Sequence, residues 1–286
     1  MTENRNKLVC LGFGYVARTL AAALDTERWD VVGTVRNGET TGSGAGLIPF
    51  AEAGSAIAQA THVLVSIPPD DSGDPALNQH DAALAGAAGL RWLGYLSTTG
   101  VYGDTGGRLV DESAALIPTH ERGRRRVKAE FAWQDHAQAH ARPLHIFRLA
   151  GIYGPGRSVF DQIRSGTARR VVKPGHAFSR IHVDDIVQAL LLSIATPEPG
   201  AIYNVADDEA AEQADVVSYA CQLLDVPAPP PVDFDDAVKT MSPMARSFWD
   251  DDRRVDNARL KSALGVSLRY PTYREGLQAI LSAERA

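Results

Sequence analysis

Gly12, Gly14 and Ala17 are spaced Gly-x-Gly-x-x-Ala between the apolar run Leu8-Val9-Cys10-Leu11 and a helix-like stretch that starts at Tyr15. A strand that turns into a helix in this way uses the first glycine for the tight turn and the second to let main chain approach a pyrophosphate. Ala17 then allows close packing of helix on strand. The helix start at Gly14, Tyr15 and Val16 supplies N–H groups and the positive end of the helix dipole. The implied chemistry is dinucleotide binding. In such sites an acidic residue about 20 positions further on takes the adenosine ribose hydroxyls. Here the sequence reads Thr34-Val35-Arg36-Asn37, with no carboxylate, and the Arg36 guanidinium suits a 2′-phosphate. NADP(H) is therefore expected in preference to NAD(H). Ser66-Ile67-Pro68-Pro69 ends a further strand and is expected to wall the ligand beside its adenine or nicotinamide, because open parallel sheets bind ligands at strand carboxyl ends.

The elements that must position these residues alternate along the first half of the chain. Near-continuous Val, Leu and Ile predict strands buried on both faces at 8–11, 31–35, 63–67, 92–97 and 145–149. Helices are expected between them at 15–24, 53–60, 76–88 and 119–140, the alternation of a doubly wound parallel sheet. After Gly154 the elements shorten and Gly and Pro interrupt them. Helices are expected there at 184–194, 212–224, 257–264 and 273–283. This divides the chain into a dinucleotide-binding domain, 1–153, and a smaller, interleaved lobe on the substrate side, 154–286. The prolines of 227–231 predict a stiff connector within that lobe. The acidic loop Asp70-Asp71-Ser72-Gly73-Asp74 is expected to be a flexible linker.

Composition excludes several classes. With 286 residues, 44% hydrophobic and 22% charged, the chain buries a sizeable core. Its formal net charge of −6 argues against nucleic acid as a partner. Cys10 and Cys221 make no disulfide scaffold and are expected to be buried thiols of a reduced, cytoplasmic protein. The N-terminal Met1 to Lys7 lacks a signal-peptide apolar region. No apolar run approaches about 18 residues, so no membrane partner is expected. No Cys-x-x-Cys or His-Glu-x-x-His spacing points to a metal.

Three further segments resemble one family. Ser97-Thr98-Thr99-Gly100-Val101-Tyr102-Gly103, then Phe147-Arg148-Leu149-Ala150-Gly151-Ile152-Tyr153-Gly154-Pro155-Gly156, then Arg180-Ile181-His182-Val183-Asp184-Asp185 are similar in type and order to the extended short-chain dehydrogenase/reductases. That group includes nucleotide-sugar epimerases and dehydratases. The resemblance implies an α/β fold of Rossmann type, a nicotinamide cofactor and a homodimer formed through a helix pair. It also implies that Thr98 hydrogen-bonds the reacting oxygen of a small-molecule substrate, while a tyrosine and a lysine one helical turn later handle the proton and the nicotinamide ribose.

The tyrosine is not there. Aligning Ala129-Glu130 with the family's helix puts Arg122 at the tyrosine position and Arg126 at the lysine position; sliding by two puts Arg124 and Lys128 there. A guanidinium stays protonated and cannot replace a phenol in acid–base work. Arg122 is assigned to stabilise a developing oxyanion or clamp an anionic substrate, and Arg126 or Lys128 to hold the ribose hydroxyls. Arg122 and Arg126 share a helix face, whereas Arg124 and Arg125 are expected to be solvated. Tyr102, Tyr153 and His120 are the remaining candidates to move a proton.

On the substrate side the candidates are Arg180 and Tyr153, with Arg157, Arg253 and Arg254 as further anion receptors. Trp249 and Phe248 are expected in the lobe's core. His182 is read as a packing residue before a helix that Asp184 caps. Two functions remain open: an oxidoreductase or epimerase acting on a small polar or nucleotide-sugar-like substrate, and a catalytically altered module that senses NADP(H) or binds a partner without a substrate. Hydrolase chemistry at Ser97 or Thr98 lacks the strand–nucleophile–helix elbow and a paired histidine.

Overall fold

The computed structural model describes residues 5–36 and 46–285; Met1 to Asn4 and Asn37 lie outside the described residues. In chain order the elements begin β1 (Asn6–Leu11), α1 (Tyr15–Ala23), β2 (Trp29–Val35), β3 (Gly46–Pro49), α2 (Gly54–Ala58), β4 (His62–Val65), α3 (Pro75–Gly86) and β5 (Trp92–Thr98). They continue with β6 (Leu109–Val110), α4 (Glu121–His140), β7 (Leu144–Leu149), β8 (Gly151–Tyr153), α5 (Val159–Arg164), β9 (Arg170–Val172), β10 (Arg180–His182), α6 (Val183–Ala195) and β11 (Ile202–Val205). The last are α7 (Gln213–Leu224), β12 (Pro231–Asp233), α8 (Phe234–Ala237), α9 (Pro243–Ser247), β13 (Arg254–Val255), α10 (Ala258–Ser262) and α11 (Tyr273–Arg285).

Seven strands form one sheet in the order β11-β7-β5-β4-β1-β2-β3, and β1 runs parallel to both β2 and β4. The chain winds outward from β1 in one direction and then returns to wind in the other. That reversal, between β1 and β4, is where a doubly wound sheet opens at its carboxyl ends for a ligand. Leu8, Leu11, Val63 and Val65 are fully buried, which accounts for the unbroken apolar runs of these strands. The expected strands and helices of this half are present, with ends shifted by a few residues. Two strands of this sheet were not anticipated. Gly46-Leu47-Ile48-Pro49 is bounded by Gly and Pro and reads as a loop, yet it pairs with β2 as the sheet edge. Ile202–Val205 is only four residues long and supplies the opposite edge.

The chain divides into two compact units that exchange segments and are nearly equal in length, rather than meeting at one boundary after Tyr153. The first contains residues 1–98, 121–148 and 187–203, and the second contains 99–120, 149–186 and 204–286. The second unit is built on short parallel pairs, β8 with β10, β9 with β12 and β6 with β13. One of its cores gathers Tyr153, Phe160, Val216, Tyr273, Leu277 and Ile280. Another centres on buried Trp249, whose ring meets Phe178 at 5.0 Å and Phe234 at 5.4 Å. Phe248, expected with it, is 48% exposed. The prolines of 227–231 end in β12, and Cys10 and Cys221 are buried free thiols.

Two local expectations are corrected. The loop Asp70 to Asp74 is not a linker: Asp70 accepts from the Ser72 N–H (2.8 Å), Asn78 Nδ2 donates to the Ser72 carbonyl (3.0 Å), and buried Asp74 caps α3 through the Ala76 N–H (3.0 Å). Asp184 does not cap α6. The helix already includes Val183, and His182 Nδ1 accepts the Asp184 N–H at 3.2 Å. His182 is a packing residue as expected, its ring 5.2 Å from Tyr153 and 4.2 Å from Tyr270.

Candidate functional site

The glycine turn lies at the carboxyl end of β1 and is clamped from both sides. Gly12 has φ 91°, and a Cβ there would lie 2.8 Å from Ser66 Oγ and 2.9 Å from Ile67 Cγ1. No other residue fits that conformation and that space. Its N–H donates to Thr34 Oγ1 (2.8 Å), the Phe13 N–H donates to the Thr34 carbonyl (3.0 Å), and Ser66 Oγ donates to the Gly12 carbonyl (2.7 Å). Gly14 is the exposed N-cap of α1 with no side-chain cap, and a Cβ on it would meet nothing within 4 Å. Val16 and Ala17 are buried, and Tyr15 is half-buried. A rigid turn, an uncapped helix start and open space at Gly14 fit a dinucleotide pyrophosphate. Ser66, expected in the wall, holds the turn together with Ile67, while Pro68 is exposed. Thr34 is the residue that sequence reasoning missed. Its signal is a lone hydroxyl in an apolar strand that ends beside the turn. Arg36, exposed, follows β2 one residue beyond its end.

Thr98 ends β5 and is half-buried. The buried Ser97 Oγ donates to Glu130, which also receives Arg148 Nη2 at 2.8 Å and Arg148 Nε at 3.2 Å. On α4, Arg122 is exposed and Arg126 half-buried. Arg126 Nη1 donates to the Tyr95 hydroxyl (2.9 Å) and the Leu96 carbonyl (3.0 Å), so its charge is held at the end of β5 by neutral acceptors. Burial pushes the Tyr95 phenol well above its ordinary pKa. Arg124 is exposed, as expected, and pairs with Glu121 at 2.8 Å on the surface. Arg125 is not simply solvated, because it pairs with Asp71 and lies 3.6 Å from Glu121. Lys128 is exposed. Of the two registers, the one containing Arg122 and Arg126 is therefore the one whose second member reaches β5.

The remaining proton candidates lie in the second unit. Tyr102 is buried and its hydroxyl donates to Asn204 Oδ1 at 2.7 Å. The Tyr153 hydroxyl donates to the Thr272 carbonyl at 3.4 Å, and burial raises its pKa far above the ordinary phenol value. His120 Nε2 lies 3.7 Å from Asp250 and 3.8 Å from Asp251. Tyr153, Arg157 and Arg180 share a cavity of about 460 Å³ in this unit. Arg253 and Arg254 are not among its lining: Arg253 pairs with Asp251 at 2.5 Å, and Arg254 Nη2 donates to the Gly175 carbonyl at 3.1 Å.

Residues 79–206 match the model of the NAD dependent epimerase/dehydratase family. A conserved protein from Silicibacter pomeroyi DSS, described as functionally unknown, is 48% identical with a TM-score of 0.91, covering 98% of this chain and 100% of that one. The chain is thus similar to the extended short-chain dehydrogenase/reductases of the NAD dependent epimerase/dehydratase family, whose model it matches over 79–206. Among the curated proteins it is similar to, Protein YeeZ of Escherichia coli K12 is 26% identical over 219 residues, 70% of this chain and 77% of YeeZ. A mouse dTDP-D-glucose 4,6-dehydratase is 27% identical over 145 residues, 48% of this chain and 41% of that protein. The structure of MoeE5 in complex with UDP-glucuronic acid and NAD, at 19% identity and a TM-score of 0.77 over 98% of this chain and 99% of that one, shares the fold.

Proposed function

We propose that this protein binds a nicotinamide dinucleotide, NADP(H) in preference to NAD(H), and acts as an oxidoreductase or epimerase on a small polar or nucleotide-sugar-like substrate. The observation that carries the reading is the Gly12 turn, pinned by Thr34 and Ser66 and leaving open space at Gly14. The first turn of α1 receives the pyrophosphate, and Arg36 receives the 2′-phosphate that a carboxylate at the end of β2 would repel. The dinucleotide, when bound, supplies or accepts a hydride. Thr98 orients the reacting oxygen, Arg126 holds ribose hydroxyls, and Arg122 stabilises a developing oxyanion. Arg180 and Tyr153 are the substrate-side residues. The UDP-sugar complexes of MoeE5 support the substrate class.

A second reading, a module that senses NADP(H) or binds a partner, is favoured by one observation. No tyrosine stands on α4, and the Tyr102 and Tyr153 hydroxyls are already committed to Asn204 and Thr272. Turnover separates the two. With NADP⁺ or NADPH and a panel of UDP- and dTDP-sugars, absorbance at 340 nm or sugar product analysis should reveal a reaction that Thr98→Ala slows by about tenfold or more. Dinucleotide binding without any turnover would leave the sensing module.

A further inference from the structure

Tyr95 carries a hydroxyl where the core needs none. Its ring lies on β5 at 0% exposure, 5.8 Å from Trp133 of α4 in the first unit's apolar core. A phenylalanine would fill the same space, and a buried hydroxyl is costly unless it is bonded. Among the described residues that hydroxyl has one hydrogen-bond partner, Arg126, whose Nη1 donates to it at 2.9 Å. The same Nη1 reaches the Leu96 carbonyl at 3.0 Å, and the guanidinium carbon lies 5.4 Å from the centre of the Tyr95 ring. Tyr95 therefore holds the guanidinium through both its ring and its hydroxyl.

The grip is one-sided. Among the described residues Nη1 alone is engaged: Nε and Nη2 have no hydrogen-bond partner, and Arg126 makes no ion pair. The buried Asp74 carboxylate, which caps α3, is near enough to attract Arg126 without bonding it. The charge is answered across space, and the donors left over suit neutral oxygens such as the hydroxyls of a sugar. The sheet determines which sugar. Its strands lie in the order β5-β4-β1-β2. With a pyrophosphate at the start of α1 and Arg36 at the end of β2, the second half of a dinucleotide crosses β4 and reaches β5, about 10 Å from β1. The sugar at that end is the nicotinamide ribose.

We propose that Tyr95 is a positioning residue for the nicotinamide half of the dinucleotide: it fixes Nη1 of Arg126 in advance, so that Nε and Nη2 meet the nicotinamide ribose already oriented. The inference rests on the dinucleotide reading above. An arginine held before the ligand arrives loses less freedom on binding than a free one. Tyr95, being fully buried, acts through Arg126 alone. Calorimetry on the full chain uses NADPH and NADH as probes, with adenosine 2′,5′-bisphosphate and ADP as fragments that keep the adenosine half and lack the nicotinamide ribose. Tyr95→Phe should weaken the dinucleotide that the parent binds by about three- to tenfold and leave its fragment within about twofold. Arg126→Ala should lose about tenfold or more, and adding Tyr95→Phe to it should cost nothing further. Undiminished affinity in Tyr95→Phe, equal losses for dinucleotide and fragment, or losses that add in the double variant overturn the proposal, since a residue that only supports the fold gives one of these. Should Tyr95→Phe fail to fold, guanidinium nitrogen NMR of the unaltered protein replaces it, with the Arg126 signal identified by its loss in Arg126→Lys. Hindered rotation of that guanidinium before ligand is added, and a shift with dinucleotide but not with fragment, support the proposal; free rotation or equal shifts overturn it. A parent that binds neither dinucleotide removes the dinucleotide reading and this inference together. A parent that binds one, matched by Tyr95→Phe, removes this inference alone.

Discussion

Glu130 and Arg148 form an ion pair that water does not reach, at 0% and 2% exposure, with Ser97 as a third member. Replacing Glu130 with alanine leaves the Arg148 guanidinium buried without its carboxylate. Breaking such a pair from one side costs about 3–5 kcal/mol, whereas replacing both charges with apolar side chains of similar volume is close to neutral. For a chain of this size that loss lowers the midpoint of thermal unfolding by about 6–10 °C, at about 2 °C per kcal/mol. Urea unfolding followed by fluorescence of the buried Trp92 and Trp133 measures it across a cycle of Glu130→Leu, Arg148→Met and the pair together. The double variant should be more stable than either single one, with a coupling energy of about 2 kcal/mol or more. Additive losses, or a Glu130→Ala variant within about 1 kcal/mol of the parent, would refute the claim that this pair is a mutually compensated buried charge.

Gly12→Ala should weaken NADPH by more than tenfold and destabilise the fold by about 1–3 kcal/mol, through its positive φ and the contact with Ser66; a calorimetric titration showing unchanged affinity contradicts this. Arg36→Ala should weaken NADPH much more than NADH, and equal losses for the two would mean that Arg36 does not meet the 2′-phosphate. Burial pushes His62 and His145 down to about 4 from 6.5, so the unfolded chain binds more protons below 6.5. Stability from these two is complete above that pH and is lost as pH falls toward 4, by up to about 3 kcal/mol per histidine. Urea midpoints from pH 7 to 4 should therefore fall more steeply for the parent than for His145→Gln. Asp207, raised by burial, acts in the opposite sense in both proteins and cancels in that comparison. Parallel curves would contradict the assignment for His145.

The first half of the sheet was legible because its strands are buried on both faces and carry unbroken apolar runs. The edge strands β3 and β11 were not, since an edge needs neither length nor apolar continuity and Gly-Leu-Ile-Pro looks like punctuation. The glycine turn was legible as a motif, but its clamp was not. Ser66 looked like a wall residue because strand ends usually face ligand, and only the fold brings its hydroxyl beneath Gly12. The arginine run on α4 reads as one charge cluster. Side-chain partners split it, with Arg124 and Arg125 in surface ion pairs with Glu121 and Asp71 and Arg126 directed to Tyr95 and Leu96. Arg180 stands out in the sequence for its charge, and the fold sets it in the wall of a cavity assembled by segments more than a hundred residues apart.

The central claim is that the turn at Gly12 and Gly14 holds a phosphorylated nicotinamide dinucleotide. Titration of the purified protein with NADPH, NADP⁺, NADH and NAD⁺, followed by calorimetric heat and by fluorescence for the reduced pair, tests it directly. The account predicts saturable binding with a clear preference for the 2′-phosphorylated pair. No binding of any of the four would contradict it and leave a Rossmann-type scaffold whose ligand is something else.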